Sequence, residues 1–296
     1  MKTSLFKISL FALACVAGLF ACGSPAPIKA DQPVAAVLEV PPDTVFNYGF
    51  RNMAWDGQRL WQYVREKDNV HLRAYNLKGQ LVRKVPLAND EIPIHRSMDW
   101  SQDSLWLLDT ANTLYRLSPA GKLLAKLPLS SLPGTGSASL LAFAGEKLWV
   151  FRKSFYDPKA DQEVPPALVR LDPASGKVLE TIEIQDEDFA RIPFEEIVSD
   201  QGSFYLSRSH IFSQKDNLVY KVGLNPLRIE KITLPRIFTG LATLFFVNQK
   251  LYGMELLEFL FCHDSCRGVL RELSLTAAPA PKPEPSPMAN GSGGVK

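Results

Sequence analysis

The sequence lacks several features on which common activities depend. Its 296 residues include only four cysteines and four histidines, and no HExxH, Gly-x-Ser-x-Gly or glycine-rich phosphate-loop motif occurs. The sequence therefore carries no motif signature of a zinc protease, a serine hydrolase or a phosphate-binding loop. No helical periodicity competes with the strand pattern of the chain, which argues against a helical domain.

The chain also lacks an excess of charge of either sign. The formal net charge is +2, from 33 basic and 31 acidic residues, and Lys2 and Lys7 lie in a segment that we expect to be removed. The mature chain then has 31 residues of each sign. Because phosphate binding depends on clustered lysine and arginine, nucleic acid is not an expected partner. No motif predicts a cofactor.

Long hydrophobic runs are absent except at the start of the chain. Two lysines accompany an apolar run at 8–21, which is short for a membrane span and typical of a secretory signal. The run ends in "LFACGS", with Ala21 directly before Cys22, and this resembles the lipobox of bacterial lipoproteins. The resemblance implies a signal peptide at 1–21 and acylation (palmitate) of Cys22. Cleavage at a nearby small residue, without acylation, is the alternative.

The resemblance also implies a cellular location. Several acyl chains on Cys22 would anchor the protein durably, whereas one chain would not. We expect a cell-envelope protein. Because Gly23 and not Asp follows the cysteine, it would lie in the outer membrane facing the periplasm of a Gram-negative organism, and otherwise on the outer face of the cytoplasmic membrane. Residues 22–33 are predicted to be the lipidated cysteine and a short flexible tether.

A sequence repeat of four short apolar runs recurs along the rest of the chain. One copy reads "RSMDW", "SLWLLD", "TLYRL" and "KLLAKLPL", with polar breaks and a Pro-x-Gly turn that indicate hairpins. Its Leu-Trp element, or an equivalent pair, begins at 60, 105, 148, 204 and 251, at spacings of 45, 43, 56 and 47 residues. Four short strands at this period are typical of the blades of a β-propeller.

The fifth copy lacks its outer strand, because Ala- and Pro-rich sequence follows "VLREL". The segment at 34–40, "VAAVLEV", resembles the outer strands of the other copies, and we expect it to close the ring, which removes two exposed sheet edges. The sequence thus predicts an all-β chain, a single propeller of five four-stranded blades at 34–276 closed by the N-terminal strand. Residues 277–296 are predicted to be a disordered tail rich in Pro, Gly and Ser.

Large aromatic residues occupy the same place in the second strand of every copy. They are Trp61, Trp106, Trp149, Tyr205 and Tyr252. Aromatic residues bury a large area and suit strands, so we expect them to pack between blades. Stacking on a ligand is the alternative.

Three positions further along that strand, four of the five copies carry charge. The residues are Val64, Asp109, Arg152, Arg208 and Glu255. Neighbouring blades would bring Asp109 beside Arg152, and Arg208 beside Glu255, near one mouth of the central channel. Two inter-blade ion pairs are one interpretation, and they would add little stability because desolvation offsets their attraction. A charged floor that binds a small polar ligand is the other.

The longest loops are expected at the same mouth, where binding residues tend to lie. They are residues 89–97, 152–166, 185–196 and 207–214. Their acid–base candidates are His95, Glu195, Glu196 and His210, each of which is also compatible with a solvated loop residue. No catalytic residue is assigned among them.

The remaining cysteines form the short cluster "CHDSC" in the fifth blade. After acylation of Cys22 and loss of the signal peptide, Cys262 and Cys266 are the only cysteines left. An exported compartment is oxidising, so a loop-closing disulfide is predicted. With His263 these residues are also soft ligands for zinc or copper, although no second ligand pair accompanies them. A redox-labile disulfide is a third interpretation.

The blade phrases resemble known repeats. "LYRLSPAGKLL" and "LVRLDPASGKVL" are similar to the repeats of bacterial PQQ-like and YVTN-type propellers. "MAWDGQRLW" and the count of five copies resemble the five-bladed, plant-type glutaminyl cyclases. The resemblance covers most of residues 34–275. The Phe-Gly-Glu-Gly stretch of that family has no match in "DEIPIHRS", so the resemblance transfers no catalytic residue.

Two functions from different classes follow. The first is a membrane-anchored extracytoplasmic propeller lipoprotein that acts as a non-catalytic binding module for a protein, peptide or glycan. The alternative is a propeller enzyme of glutaminyl-cyclase-like, lyase or hydrolase type with its site at the channel mouth. Convergence of His95, His210 or Glu195 within hydrogen-bonding reach would favour the enzyme, and scattered side chains would favour the binding module.

Overall fold

The structure is a computed structural model, and it describes residues 28–31, 34–40, 53–66, 69–88, 95–132, 138–208, 218–233, 241–257 and 266–276. Within these ranges the chain is almost entirely β-strand, with one short helix, α1, at Glu187–Ala190. No helix in these ranges is long and apolar enough to cross a bilayer. The strands form a five-bladed propeller of four-stranded antiparallel sheets, as the sequence predicted.

Strands are numbered in chain order, and two of them precede the first complete blade. They are β1 (Ile28–Asp31) and β2 (Val34–Val40). Blade 1 contains β3 (Met53–Trp55), β4 (Leu60–Glu66), β5 (Asn69–Tyr75) and β6 (Leu81–Pro86). Blade 2 contains β7 (His95–Ser101), β8 (Ser104–Asp109), β9 (Thr113–Leu117) and β10 (Leu123–Pro128).

Blade 3 differs from the first two because a small hairpin interrupts it. Its four strands are β11 (Ala138–Ala144), β12 (Lys147–Arg152), β15 (Ala167–Leu171) and β16 (Val178–Glu183), and the hairpin is β13 (Phe155–Asp157) with β14 (Gln162–Val164). Blade 4 contains β17 (Glu196–Asp200), β18 (Ser203–Arg208), β19 (Leu218–Leu224) and β20 (Leu227–Thr233). Blade 5 contains β21 (Leu241–Val247), β22 (Lys250–Leu257) and β23 (Cys266–Thr276), with β2 as its fourth strand.

The innermost strands of the blades form a closed ring. β3 contacts β7, β7 contacts β11, β11 contacts β17, β17 contacts β21, and β21 contacts β3 again. The outer strand of blade 5 is β2, which pairs antiparallel with β23, with Val37 opposite Val269 and Val40 opposite Cys266. The prediction that the N-terminal strand closes the ring is therefore confirmed.

Strand β1 lies in the segment that the sequence predicted as a tether. It continues along β23, with Ala30 opposite Leu275, and on its other side it pairs in parallel with β20, with Ile28 opposite Ile232. Residues 28–31 thus form a strand instead of a flexible connection. The physical reason is that edge backbone groups of two neighbouring blades are available there as hydrogen-bond partners.

Burial follows the position of a strand within its blade. Every residue of β8 is buried, because the blades on both sides cover this strand. The outer strand β10 alternates between partly buried and exposed residues, because only one of its faces packs against protein. The second strands therefore read as continuous apolar runs, whereas the outer strands read as alternating ones.

The repeated aromatic residue of the second strand packs against the next blade. Trp61 stacks on Trp100 with ring centroids 5.5 Å apart, and the Trp106 ring lies 5.4 Å from that of Phe143. Such ring pairs stabilise an interface beyond the area that they bury. Trp61 and Trp106 are 0% and 1% exposed, so core packing and not ligand stacking accounts for them.

Blade 4 changes this contact because Ser199 stands at the position that Trp100 and Phe143 occupy in the preceding blades. Trp149 packs edge-on against Phe204 instead, with ring centroids 5.6 Å apart. The pattern then returns, since Tyr205 lies 5.1 Å from Phe246. In blade 5, Tyr252 stacks within its own blade on Phe245, at 5.9 Å.

The channel-facing edge of β11 has no strand partner among the described residues, and side chains of the neighbouring inner strands satisfy it. From β7, the Ser97 hydroxyl accepts the Leu141 N–H at 3.0 Å, and the Asp99 carboxylate accepts the Phe143 N–H at 2.7 Å. From β17, the Ser199 hydroxyl donates to the Phe143 carbonyl. Because unpaired backbone groups are costly to bury, these polar side chains join three inner strands.

The Asp99 carboxylate makes this junction sensitive to pH. Burial raises the pKa of Asp99 from 3.8 to about 6, although the N–H groups of Phe143 and Trp100 lower it. The folded state therefore holds this proton more tightly than the unfolded state does. The contribution of Asp99 to stability is full below the unfolded pKa and is lost as the pH rises through the folded pKa.

We expect the unfolding free energy of the wild type, relative to that of Asp99→Asn, to fall by about 2 kcal/mol between roughly pH 4 and pH 7. Urea unfolding across this range measures it. Asp103→Asn changes an exposed carboxylate two residues beyond the same strand and should show no such trend. A difference between wild type and Asp99→Asn that does not vary with pH would contradict the assigned pKa.

Candidate functional site at one mouth of the ring

Strand register brings the predicted candidate residues to one edge of the blades. In each blade this is the edge where the inner strand begins and the second strand ends, and we call it the mouth. His95 lies opposite Asp109 in blade 2, and Ala138 lies opposite Arg152 in blade 3. Glu196 and Arg208 of blade 4 and Glu255 of blade 5 occupy the corresponding strand ends.

The Asp109 side chain is fully engaged within its own blade. Its Oδ1 accepts the N–H groups of Ala111 at 2.8 Å and Thr113 at 2.7 Å, and its Oδ2 accepts the Tyr115 hydroxyl at 3.0 Å. Burial, followed by the bond and charge of Asp109, raises the pKa of Tyr115 to about 12, so this phenol stays protonated as a donor. Asp109 thus fastens the turn between β8 and β9.

The Arg152 guanidinium turns away from Asp109. Its Nη2 donates to the Pro165 carbonyl at 2.8 Å, and its centre lies 5.5 Å from the Phe155 ring. Arg152 is 3% exposed, and its Nε has no partner among the described residues. Burial lowers the pKa of Arg152, and the Glu183 carboxylate opposes this shift. The inter-blade ion pair between Asp109 and Arg152 does not form, because each side chain takes a partner in its own blade.

The second expected pair, Arg208 with Glu255, lies partly outside the described residues. Arg208 is half-buried at the end of β18, opposite Leu218. Glu255 lies at the mouth end of β22, but its side chain is outside the described part of the structure. At the equivalent position of blade 1, Val64 is 1% exposed and belongs to the core.

Three charged side chains from three different blades influence one another at the mouth. Lys153 is an exposed residue, but partial burial still lowers its pKa. The charge of Arg96 lowers that pKa further, and the carboxylate of Glu195 opposes both. Arg96 lies on β7 of blade 2, Lys153 follows β12 of blade 3, and Glu195 precedes β17 of blade 4. Arg96 and Glu195 therefore act on the pKa of Lys153 in opposite directions.

Among the described side chains, the acid–base candidates are represented only by Glu195 and Glu196. The Glu195 N–H donates to the Ser207 carbonyl at 3.0 Å, which extends the sheet of blade 4 by one bond. Glu196 is 2% exposed at the start of β17. The side chain of His95 and the whole of His210 lie outside the described part of the chain.

Two additions to the blade pattern stand on the mouth side of blade 3. The hairpin β13–β14 connects the second and third strands, with Phe155 opposite Val164, and its tip is held by the Tyr156 hydroxyl, which donates to Asp161. Helix α1 lies in the connection to blade 4, where the Asp186 carboxylate caps it by accepting the Phe189 N–H at 2.8 Å.

Aromatic packing holds the helix in place. Phe189 and Phe194 lie 4.6 Å apart, and Phe194 meets Phe151 of β12 edge-on at 5.6 Å. Tyr220 of blade 4 contacts both Phe189 and Phe194, at 5.7 and 5.5 Å. A four-residue helix is too short to be stable by itself, so this cluster fixes its position between the two blades.

Two adjoining clefts lie between the hairpin and the helix. The larger has a volume of about 460 Å³ and the smaller about 170 Å³. Both contact Ser154, Ala190 and Arg191, and the Ser154 hydroxyl donates to the Ala190 carbonyl at 3.5 Å. Carboxylates of Glu163, Asp186 and Glu187 line the larger cleft. The smaller cleft is lined by Phe151, Pro166, Ile192 and Pro193, with Lys153 and Arg191 as its cations.

Reasoning from the sequence missed the basic side chains of this region. It sought acid–base pairs in the long loops and did not single out Arg96, Lys153 or Arg191, although all three lie in those loops. Their position at strand ends beside prolines and apolar residues was the available signal. Their mutual arrangement was not visible, because it depends on contact between blades.

The described residues contain no group of three or more His, Cys, Asp and Glu side chains that could hold a metal ion. Cys22, Cys262 and His263 lie outside the described ranges, as does the Cys266 side chain, although the backbone of Cys266 begins β23. The predicted disulfide, the weaker metal interpretation and the predicted lipidation therefore stay predictions.

No family model matches this chain, and no curated protein matches it in sequence. Among solved structures, the chain is similar to the crystal structure of the Myxococcus xanthus glutaminyl cyclase, with a TM-score of 0.43 and 11% sequence identity. The similarity covers 70% of this chain and 99% of that one. It carries no argument about chemistry.

The geometry around Asp109 predicts the outcome of a double-mutant cycle. Asp109→Ala leaves two N–H groups and the Tyr115 hydroxyl without their acceptor, so we expect a loss of about 2–4 kcal/mol in unfolding free energy. Because Arg152 has other partners, the effects of Asp109→Ala and Arg152→Gln should add within about 0.5 kcal/mol. Chemical denaturation of both single variants and the double variant measures this, with exposed Asp103→Asn as the control. A coupling well above that margin would restore the ion-pair interpretation.

Proposed function

We propose that this chain is a lipid-anchored, extracytoplasmic β-propeller that acts as a non-catalytic binding module, with its binding surface at the mouth of blades 3 and 4. The observation that carries the proposal is the placement of hairpin β13–β14 and helix α1. A four-stranded blade needs neither of them, and both stand at the same edge with two clefts between them. Additions of this kind on a rigid scaffold are where binding residues usually lie.

The lining of the clefts favours a peptide segment as the ligand. The smaller cleft combines an apolar wall with the cations Lys153 and Arg191, so it suits an apolar side chain next to a carboxylate. The larger cleft carries the carboxylates of Glu163, Asp186 and Glu187. Arg191, which lines both clefts, pairs with Glu187 at 3.6 Å, and the remaining excess of carboxylates suits a basic or amide-bearing stretch. Because the two ends differ in charge, a peptide crossing them would be held in one direction.

The anchor is the second part of the proposal, and "LFACGS" after a short apolar run supports it. Anchoring would hold the module at a membrane and raise the local concentration of any partner in the same envelope.

The anchor predicts the behaviour of Cys22→Ala. The variant should leave the membrane fraction or retain its uncleaved signal, because the residue that receives the acyl chains is gone. Cell fractionation and incorporation of labelled palmitate measure this, with the wild type as the reference. Equal incorporation in the variant, or a wild type found free in the exported fraction, would remove the anchor from the proposal.

The binding surface predicts where a partner attaches. A photo-crosslinking residue in place of Gln185, which is exposed and lines the larger cleft, should capture a partner from the native membrane. The same residue in place of Gln102, which is exposed in the turn at the opposite edge of blade 2, should not. Capture from position 102 alone would place the partner elsewhere.

Charge reversal tests the same surface. Lys153→Glu with Arg191→Glu should reduce capture at least about tenfold, since roughly 1.4 kcal/mol per charge contact corresponds to that factor. Lys147→Glu changes an exposed lysine at the opposite end of β12 and is the matched control. Unchanged capture in the double variant, with an unchanged unfolding midpoint, would contradict the proposed site.

A further inference from the structure

The turns between the third and the outer strands carry the same two exposed residue types in four consecutive blades. The cations, all exposed, are Lys78, Lys122 and Lys177 in the turns and Arg228 at the second position of the outer strand β20. Large aliphatic residues lie within four positions of these cations, namely Leu81 (51% exposed), Val82 (50%), Leu124 (49%), Leu179 (55%) and Leu227 (40%). A single exposed aliphatic residue needs no explanation, but its recurrence beside a cation in four blades does.

A β-bulge produces the exposure in the first three blades. The pairing between third and outer strand skips Val82 in blade 1, Leu124 in blade 2 and Leu179 in blade 3. An extra residue of this kind bends the strand and redirects its side chain. Each of these three blades thus leaves about half of one aliphatic side chain exposed at the same place.

The carboxylates near these turns have other hydrogen-bond or ion-pair partners. The hydrogen bond from Ser175 lowers the pKa of Asp172 most, and the charge of Lys177 lowers it further without a close ion pair. Glu180 pairs with Arg170 at 2.9 Å, and the Asp172 carboxylate accepts the Ala174 N–H and the Ser175 hydroxyl of its own turn. Within the described part of the chain, the ammonium groups of the three lysines in the turns form no ion pair within 4.0 Å. The three ammonium groups are therefore not neutralised by a close ion pair, although exposed Asp103 and Glu146 lie in turns at the same end of the blades.

The N-terminal strand occupies the fifth place in this ring of turns. In blade 2, a Cβ on Gly121 of the turn would lie 2.7 Å from Val85 Cγ1, so this turn packs closely on the outer strand of blade 1. In blade 5 no such turn exists, and β1 lies against the outer strand of blade 4, with Ile28 opposite Ile232. Cys22 precedes Ile28 by six residues, which span at most about 20 Å when extended.

We propose that this ring of turns, which we call the rim array, rests on an anionic phospholipid surface. Equivalent positions in a ring of blades share one plane across its axis, so four lysine or arginine side chains and the aliphatic residues beside them face a flat partner together. The cations would meet lipid phosphates, and the aliphatic tips would enter the boundary between headgroups and acyl chains.

A bilayer fits the rim array better than a protein does. Protein interfaces concentrate their affinity in a buried central cluster rich in tryptophan, tyrosine and arginine, whereas these residues are aliphatic and spread around a rim. The inference adds a partner to the anchored protein of the proposed function and rests on its anchor, but not on its binding surface. The mouth lies at the other end of the same strands and would face away from the lipid.

Lysine footprinting tests the rim array on the full chain. The acylated protein is reconstituted in vesicles of phosphatidylcholine with phosphatidylglycerol, and in vesicles of phosphatidylcholine alone, and treated with a water-soluble amine reagent. We expect several-fold less modification of Lys78, Lys122 and Lys177 in the anionic vesicles, as read by mass spectrometry. Lys153 and Lys159, which are exposed at the mouth, are the internal controls and should react equally in both.

Three results would contradict the rim array. Equal modification of the rim lysines in both kinds of vesicle would overturn the inference, as would protection of Lys153 and Lys159 in their place. Protection in the native envelope without protection in anionic vesicles would identify a protein as the occupant and would also overturn it.

Charge reversal separates the rim array from the anchor. Lys78→Glu, Lys122→Glu and Lys177→Glu are combined in one variant, and Lys153→Glu, Lys159→Glu and Arg191→Glu in a control of the same net charge. Because the first variant lacks the three footprinted lysines, the readout is sedimentation of each protein, carrying Cys22→Ala, with phosphatidylglycerol vesicles, and only the first should lose binding. If the chain proves not to be acylated, sedimentation with phosphatidylglycerol vesicles replaces reconstitution. Binding lost only in the rim variant would then support the rim array while the anchor fails, and no binding of the wild type would overturn both.

Discussion

The pairing of β2 with β23 is the interaction on which the rest of the structure depends. Four blades are built from consecutive strands, but the fifth is completed only when the first part of the chain returns to the last. Without this strand, blade 5 would have three strands and would expose the long unpaired edge of β23. Closure joins segments from opposite ends of the sequence, so its entropic cost is large and is met by a full antiparallel ladder.

Polar side chains inside the ring form hydrogen bonds mainly with the backbone and not with one another. Asp99 accepts N–H groups from two blades, and Asp109 accepts two N–H groups and a phenol within one blade. A buried carboxylate gains more from several well-placed donors than from one distant cation, because an ion pair must repay the desolvation of both charges. The same reasoning explains why Arg152 lies against Pro165 and Phe155 instead of reaching the neighbouring blade.

The two ends of the strands carry different kinds of surface. At the mouth, blade 3 adds a hairpin and a helix, and the resulting clefts are specific to one place on the ring. At the rim array, the turns repeat the same small set of residue types in four blades, so the surface is regular. A concave and irregular surface suits a shaped ligand, and a regular one suits a uniform partner such as a lipid headgroup layer. The two proposals therefore assign the anchored face and the recognition face to opposite ends of one rigid scaffold.

By itself the sequence determined the number of blades, the closing strand, the aromatic residues between blades and the end at which the long loops gather. These features depend on local alternation and on a fixed repeat period, which can be read from neighbouring residues. Only the tertiary structure decided the partners of Asp109 and Arg152, the inter-blade role of Asp99, the strand at Ile28–Asp31 and the outward turn of Leu124 and Leu179. Those outcomes depend on which backbone groups the assembled ring leaves unpaired and on where a strand takes up an extra residue. Both are set by contact between segments that are far apart in the chain.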